Sequence, residues 1–189
     1  MKLKQLFPNL GKISDLEINQ IQSDSNLINK GDLFVAIKGT EADGHKFIKL
    51  AIEHGAIAIV REKNNPFSRK IKSDSTIFID VDDTRQALSG LAARFYRFPS
   101  EKIKVIGVTG TNGKTTITYL VESILEQAGF PTGLIGTIDY KFKNLILPSI
   151  NTTPGPLEIQ SFLAKMAKER LRYCVMEVSS HALSQNRVS

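Results

Sequence analysis

Apolar positions in the first half of the chain come alternately in short unbroken runs and at helical spacing. Leu33, Phe34, Val35, Ala36 and Ile37 follow one another without a polar break, entered through Lys30-Gly31-Asp32 and left through Gly39. A run of that length between turn residues predicts a strand buried on both faces. Phe47, Ile48, Ala51 and Ile52 then share one helical face until Gly55, which predicts a helix over 47–54. Residues 56–60 predict a second buried strand, 62–75 a polar loop and 76–79 a third strand. Asp82 and Asp83 stand where helix caps belong, ahead of a stripe of Ala87, Leu88, Leu91, Ala92 and Phe95.

Pro99-Ser100 interrupts this rhythm, and beyond it the alternation is stricter. Residues 104–109 predict a strand, followed by a Gly-rich turn. Ile117, Leu120, Val121, Ile124, Leu125 and Ala128 then recur at the spacing of an amphipathic helix, which Gly129 and Pro131 end. A short strand over 132–135 and a hairpin or extended segment over 140–147 come next. A helix over 157–170 presents Ile159, Phe162, Leu163, Met166 and Ala167, and a strand over 173–176 leads into Glu177.

Strands alternating with helices predict an α/β fold with parallel sheets. The break divides the chain into a small α/β domain at 1–99 and a second parallel-sheet domain at 100–189. The chain stops twelve residues past Glu177, where a further βα unit is due. The second sheet is therefore expected to be incomplete, with an apolar edge exposed near 173–178. The whole reads as the front part of a longer protein.

Composition narrows the class. With 41% hydrophobic and 23% charged residues in 189, disorder is excluded, because apolar residues are both plentiful and periodic. No apolar run approaches the roughly 18 residues of a membrane helix. The opening Met1-Lys2-Leu3-Lys4-Gln5-Leu6 lacks the apolar stretch of a secretory signal. The single cysteine, Cys174, lies in a strand-like run and has no internal disulfide partner. A cytoplasmic protein without membrane contact is the expectation. The formal charge of +6 is spread evenly: 15 basic against 12 acidic residues up to Ser100, 10 against 7 after it, +3 each. The densest cluster, Arg69-Lys70-Ile71-Lys72, contains no aromatic residue to stack a base. A nucleic-acid partner is not expected, whereas a basic surface suits phosphorylated ligands.

The strongest chemical signal is Gly110, Thr111, Asn112, Gly113, Lys114, Thr115 and Thr116, set between a strand and a strongly amphipathic helix. That is the context of a phosphate-binding loop. Glycines let backbone N–H groups turn toward phosphate oxygens, and the helix N-terminus adds partial positive charge. Lys114 would reach the β- and γ-phosphates and the Thr115 hydroxyl would bind Mg²⁺. The strict pattern requires glycine where Val108 stands, so the loop is a variant. Glu177, at a strand's carboxyl end, is either a Mg²⁺ carboxylate or a solvated strand-end residue. Ser179, Ser180 and His181 follow it without the elbow motif of a serine hydrolase. His45 and His54 lack partners at metal-ligand spacing, and His54, before Gly55, suits a helix C-terminus. In Asn151-Thr152-Thr153-Pro154, either threonine suits a helix N-cap.

These segments together resemble the Mur ligase family. The likeness is carried by the loop at 110–116, by Asn151-Thr152-Thr153-Pro154, and by Met176-Glu177-Val178-Ser179-Ser180-His181 with Gln185 and Arg187. In the first half, Asp24-Ser25, Gly31-Asp32-Leu33-Phe34-Val35-Ala36 and Asp43-Gly44-His45-Lys46-Phe47-Ile48 are similar to its UDP-binding domain. The nearest branch adds the third residue, diaminopimelate or lysine, to UDP-N-acetylmuramoyl-L-alanyl-D-glutamate. Asn26 and Gly155 depart from the family pattern, which has Arg and an acidic residue there.

The resemblance implies a UDP-binding domain followed by an incomplete P-loop ATPase domain. It implies that Ser23 and Ser25 line a uridine pocket and that Thr40, Glu41 and Ala42 lie near the diphosphate. ATP would sit on 110–116, with Lys114 catalytic and Thr115 and Glu177 holding Mg²⁺. Asn151, Thr152, Thr153, Ser179, Gln185 and Arg187 would contact the muramoyl dipeptide. The implied enzyme is an ATP-dependent carboxylate–amine ligase of peptidoglycan synthesis, monomeric at full length and working through an acyl phosphate. This chain alone is not expected to complete the reaction, because the family holds the amine with a further C-terminal domain. The alternative is a non-catalytic nucleotide- or UDP-sugar-binding module.

Overall fold

All four strands of the first half run parallel to their neighbours. The computed structural model describes residues 1–9, 11, 15–40 and 42–188, in two units, Met1–Phe95 and Tyr96–Ser189. In the first, β1 (Ile21–Gln22), β2 (Leu33–Val35), β3 (Ala58–Glu62) and β4 (Ile77–Val81) pair in that order. The helices are α1 (Leu3–Leu6), α2 (Ile48–Glu53) and α3 (Thr84–Phe95). Side chains alternate across the strands. Phe34 and Ile59 pack with Ile48 and Ala51 of α2. Leu33, Val35, Ala58 and Val60 are equally buried and point the other way, where α3 lies against β3. Burial of both faces is why the runs carry no polar alternation.

His45 has a structural role. It is fully buried, in a 3-10 turn (Gly44–Phe47) capped by Asp43, whose side chain accepts the His45 N–H. Its Nε2 accepts the Glu62 N–H at 2.9 Å, which leaves Nδ1 to donate to Asp43 Oδ1 at 2.6 Å. Asn65 Nδ2 donates to the other Asp43 oxygen at 2.9 Å. Burial alone would raise the Asp43 carboxyl, but the bonds from Asn65 and His45 outweigh it and hold the group below the usual carboxylate range. The expected pair of caps on α3 is in fact one. Asp83 accepts from the Arg85 and Gln86 amides at 2.7 and 3.0 Å, whereas Asp82 pairs with Lys63 at 2.9 Å.

In the second unit β5 (Lys104–Val108), β6 (Thr132–Ile135), β7 (Asp139–Phe142), β8 (Leu145–Pro148) and β9 (Tyr173–Glu177) form one sheet, ordered β5-β9-β6-β7-β8. The first three are parallel, and β7 and β8 continue antiparallel. The helices are α4 (Lys114–Gln127), α5 (Pro156–Lys168) and α6 (Ser180–Ser184). Ile159, Leu163 and Met166 of α5 pack with Ile135, Tyr140, Phe142 and Met176 on one face. Cys174 is buried in the same core.

The strand order corrects one expectation. Residues 174–178 are buried and Tyr173 is half-buried, because β9 inserts between β5 and β6; the edges of the sheet are β5 and β8. The helical stripe of α4 is likewise only half used. Thr118 is buried as α4 lies against β6 and β9, but Ile117, Leu120 and Ile124 are 48, 57 and 65% exposed. Among the described residues no helix is long and apolar enough to cross a membrane.

Candidate functional site

Strand β5 hands the chain to α4 through the Gly-rich turn. Gly113, the N-cap of α4, has φ +78°, a left-handed conformation that favours glycine; Gly110, at φ +149°, also has positive φ. The first-turn amides of Lys114, Thr115 and Thr116 have no intrahelical acceptor and carry the positive end of the helix dipole. Lys114 folds back on its own loop, donating to the Gly110 and Thr111 carbonyls at 2.8 and 3.3 Å. This turn lines a cavity of about 450 Å³ together with Thr137, Thr152, Glu177 and Ser179.

Glu177 ends β9, the strand beside β5, which brings its carboxylate to the turn. Thr115 Oγ1 donates to its Oε2 at 3.0 Å. The residue is fully buried, and among the described residues it has no ion pair. Its other side-chain bonds come from Thr137, through the N–H at 2.9 Å and Oγ1 at 3.0 Å. A buried carboxylate without a counter-cation, next to a hydroxyl, is a donor set suited to a hard divalent ion. Among the described residues no three His, Cys, Asp or Glu side chains form a metal cluster. Magnesium fits that scarcity, since it is usually held by one or two carboxylates together with phosphate oxygens and water.

The turn carrying Thr137 is itself braced. Gly136 N–H donates to the Asp139 carbonyl at 3.1 Å, and Tyr119 of α4 donates to Asp139 Oδ1 at 2.7 Å. Burial and the bond to Asp139 push the Tyr119 hydroxyl well above the usual tyrosine range. Gly136, Thr137 and Tyr119 belong to no motif in the sequence; only strand order reveals their place.

Neither Thr152 nor Thr153 caps α5, contrary to expectation. The cap is Gly155, whose N–H bonds Glu158 Oε2 at 3.0 Å, and Pro156 takes the first helical position, where its fixed φ suits the helix. Thr153 instead donates to the Glu177 carbonyl at 2.8 Å and accepts the Ser179 N–H at 3.1 Å. Ser179 caps α6 through Ala182 N–H. Arg187 donates to the Thr153 carbonyl at 2.8 Å and to Gln185 Oε1 at 2.7 and 3.0 Å, and meets no carboxylate among the described residues. Asn151 exposes its side chain while its backbone is held by Tyr140. The second-unit candidates thus gather around Glu177 and the α5–α6 region.

The first-unit candidates lie at carboxyl ends of adjacent parallel strands, where open α/β sheets bind ligands. Ser23 directly follows β1, and buried Ser25 opens a 3-10 turn (Ser25–Leu27) capped by Asp24. His54, the C-cap of α2, bonds the Ser25 carbonyl at 2.8 Å. Thr40 and Ala42 are exposed in the loop after β2, closed by Gly39 N–H to the Ala42 carbonyl at 2.9 Å. Glu41 lies outside the described residues.

Two family models match in succession. Residues 17–96 fit the Mur ligase family, catalytic domain, and residues 108–189 the Mur ligase middle domain. The chain belongs to the Mur ligase family. Among curated relatives of this Mur ligase chain, the UDP-N-acetylmuramoyl-L-alanyl-D-glutamate–2,6-diaminopimelate ligases of Clostridium botulinum and Clostridium tetani are 46% and 45% identical to it. Those matches take in 98% and 100% of this chain, which spans only 38% and 39% of the relatives' length. A solved diaminopimelate ligase of the same name covers all of the chain and 38% of its own, with a TM-score of 0.77 at 24% identity, a likeness of fold. A MurF ligase from Thermotoga maritima in complex with ADP matches 89% of the chain and 34% of its own, with a TM-score of 0.53 at 26% identity.

Proposed function

We propose that this Mur ligase chain is the UDP- and ATP-binding part of a ligase that adds the third amino acid to UDP-N-acetylmuramoyl-L-alanyl-D-glutamate in peptidoglycan synthesis. The relatives' names favour diaminopimelate over lysine. The observation that carries the reading is the buried Glu177 carboxylate, with no ion pair among the described residues, against Thr115 of the Gly-rich turn.

In this reading the amides of 110–116 receive the ATP phosphates and Lys114 leaves its loop carbonyls for the β- and γ-phosphates. Thr115 and Glu177 hold Mg²⁺, which when bound offsets charge on the transferring phosphoryl group. An oxygen of the dipeptide's free carboxylate attacks the γ-phosphorus as the bond to ADP breaks, giving an acyl phosphate. The amine nitrogen then attacks the acyl carbon, inorganic phosphate leaves and the nitrogen loses a proton. Asn151, Thr152, Thr153, Ser179, Gln185 and Arg187 orient the dipeptide, with the Arg187 guanidinium, which meets no carboxylate among the described residues, suited to its carboxylate. Ser23, Ser25 and the loop with Thr40, Glu41 and Ala42 hold the UDP end. At full length the protein acts as a cytoplasmic monomer.

Calorimetric titration with ATP tests this reading. Binding that strengthens on adding Mg²⁺, together with separate binding of the UDP-linked dipeptide, is expected. No ATP binding at millimolar concentration with Mg²⁺ present would sink it.

A further inference from the structure

The turn between β6 and β7 grips Glu177 more closely than any sequence motif marks. Thr137 reaches both carboxylate oxygens, Oε1 through its N–H at 2.9 Å and Oε2 through its hydroxyl at 3.0 Å. Gly136 makes room for this: a Cβ there would stand 2.7 Å from Glu177 Oε1. Thr137 Oγ1 also lies 3.1 Å from Thr152 Oγ1. The Thr137 hydroxyl carries one proton and faces two acceptors, Thr152 Oγ1 and Glu177 Oε2, which compete for it. Thr115 donates to the same Oε2. The neighbouring Thr153 holds the Glu177 main-chain carbonyl at 2.8 Å, so the 152–153 segment is tied to Glu177 at both ends of the residue.

We propose that Thr137 is a positioning residue that fixes the Glu177 carboxylate for its cation and couples that carboxylate to the Thr152 segment. The inference rests on the reading of Thr115 and Glu177 as the cation-holding pair. A carboxylate tethered through both oxygens loses its rotational freedom on folding rather than on cation binding, so the ion meets an oriented ligand. A shift of Thr152 moves the competing acceptor of the Thr137 proton and changes how strongly Thr137 holds Oε2. One hydroxyl therefore links the Glu177 carboxylate to the Thr152 segment.

Thr137 is exposed and keeps its amide bond to Glu177 whatever its side chain, so folding is not at stake, and thermal melting of each variant verifies this. ADP binding is titrated calorimetrically in Mg²⁺ and in EDTA. In Thr137→Val the gain in ADP affinity due to Mg²⁺ should fall about tenfold, with metal-free affinity unchanged within about twofold, and Thr137→Ser should restore the gain. Thr152→Val, which removes the competing acceptor, should raise the gain in the parent and change nothing in the Thr137→Val background, the non-additivity of a coupled pair. A Thr137→Val protein that keeps the parent's full Mg²⁺ gain overturns the proposal. So does a Thr152→Val effect that adds in full to that of Thr137→Val. A parent that binds no ADP in either buffer fails the nucleotide reading itself, a result distinct from a parent that binds and variants that match it.

Discussion

Replacing Lys114 by alanine should separate the loop's fold from its grip on phosphate. In the structure the ammonium donates to two carbonyls of an exposed loop, those of Gly110 and Thr111. Water takes over both carbonyls after truncation, so the change in folding stability should stay within about 0.5 kcal/mol. Binding is another matter. An ammonium about 4 Å from a phosphate charge at an effective dielectric near 20 gains roughly 4 kcal/mol. Giving up the loop carbonyls offsets about 1–2 kcal/mol of that. The balance, roughly 2–3 kcal/mol, corresponds to a 30- to 150-fold weaker Kd. Titration of parent and variant with ATP in Mg²⁺, beside their melting curves, measures both numbers. Because the loop is open to solvent, the gap should narrow as salt rises. A variant that binds ATP within about threefold of the parent, at unchanged melting temperature, would refute the assignment of Lys114 to the phosphates.

Two further outcomes follow from buried groups. His45→Leu leaves the Glu62 N–H without its acceptor, a loss of roughly 1–3 kcal/mol, and should lower the melting midpoint of the first unit by at least about 4 °C; an unchanged midpoint would show that the ring is dispensable. Burial pushes the Cys174 thiol up to about 12, against about 8.5 in an unfolded chain. The folded state thus keeps a proton the unfolded state releases, so this stabilisation is whole below about pH 8.5 and is lost as pH rises toward 12. Urea midpoints across that range should fall less steeply in Cys174→Ala than in the parent.

Most of the helices and the longer strands were legible because burial on both faces writes unbroken apolar runs and helix packing writes a 3.6-residue stripe. Strand β1 was not, since Ile21 and Gln22 alone make no pattern. The stripe of α4 announced a helix but not which part of it would be covered, because that depends on β5 lying at the sheet's edge. Strand order decided the misplaced edge as well: nothing local in 173–178 says that β9 will sit between β5 and β6. At the site, the Gly-rich turn and Glu177 stood out through residue types that phosphate and cation chemistry require. Gly136 and Thr137 did not, since their part arises only when β6 brings them over Glu177, 40 residues away in the chain. The Asn-Thr-Thr turn was misjudged as a cap because local propensity cannot see that Thr153 has a better acceptor in the Glu177 carbonyl.

The position of β5 has a dynamic consequence. Lys104 and Val108 exchange main-chain hydrogen bonds with the β9 side, and residues along a strand alternate in direction. Val105 and Gly107 therefore aim their amides away from the ladder, and both residues are exposed. Amide protons there should be replaced by solvent deuterium far sooner than those of β9, which is bonded on both sides. The strand that leads into the Gly-rich turn is thus, as an edge strand, open to fraying along its free side. Nucleotide seated on that turn should slow deuterium uptake along β5.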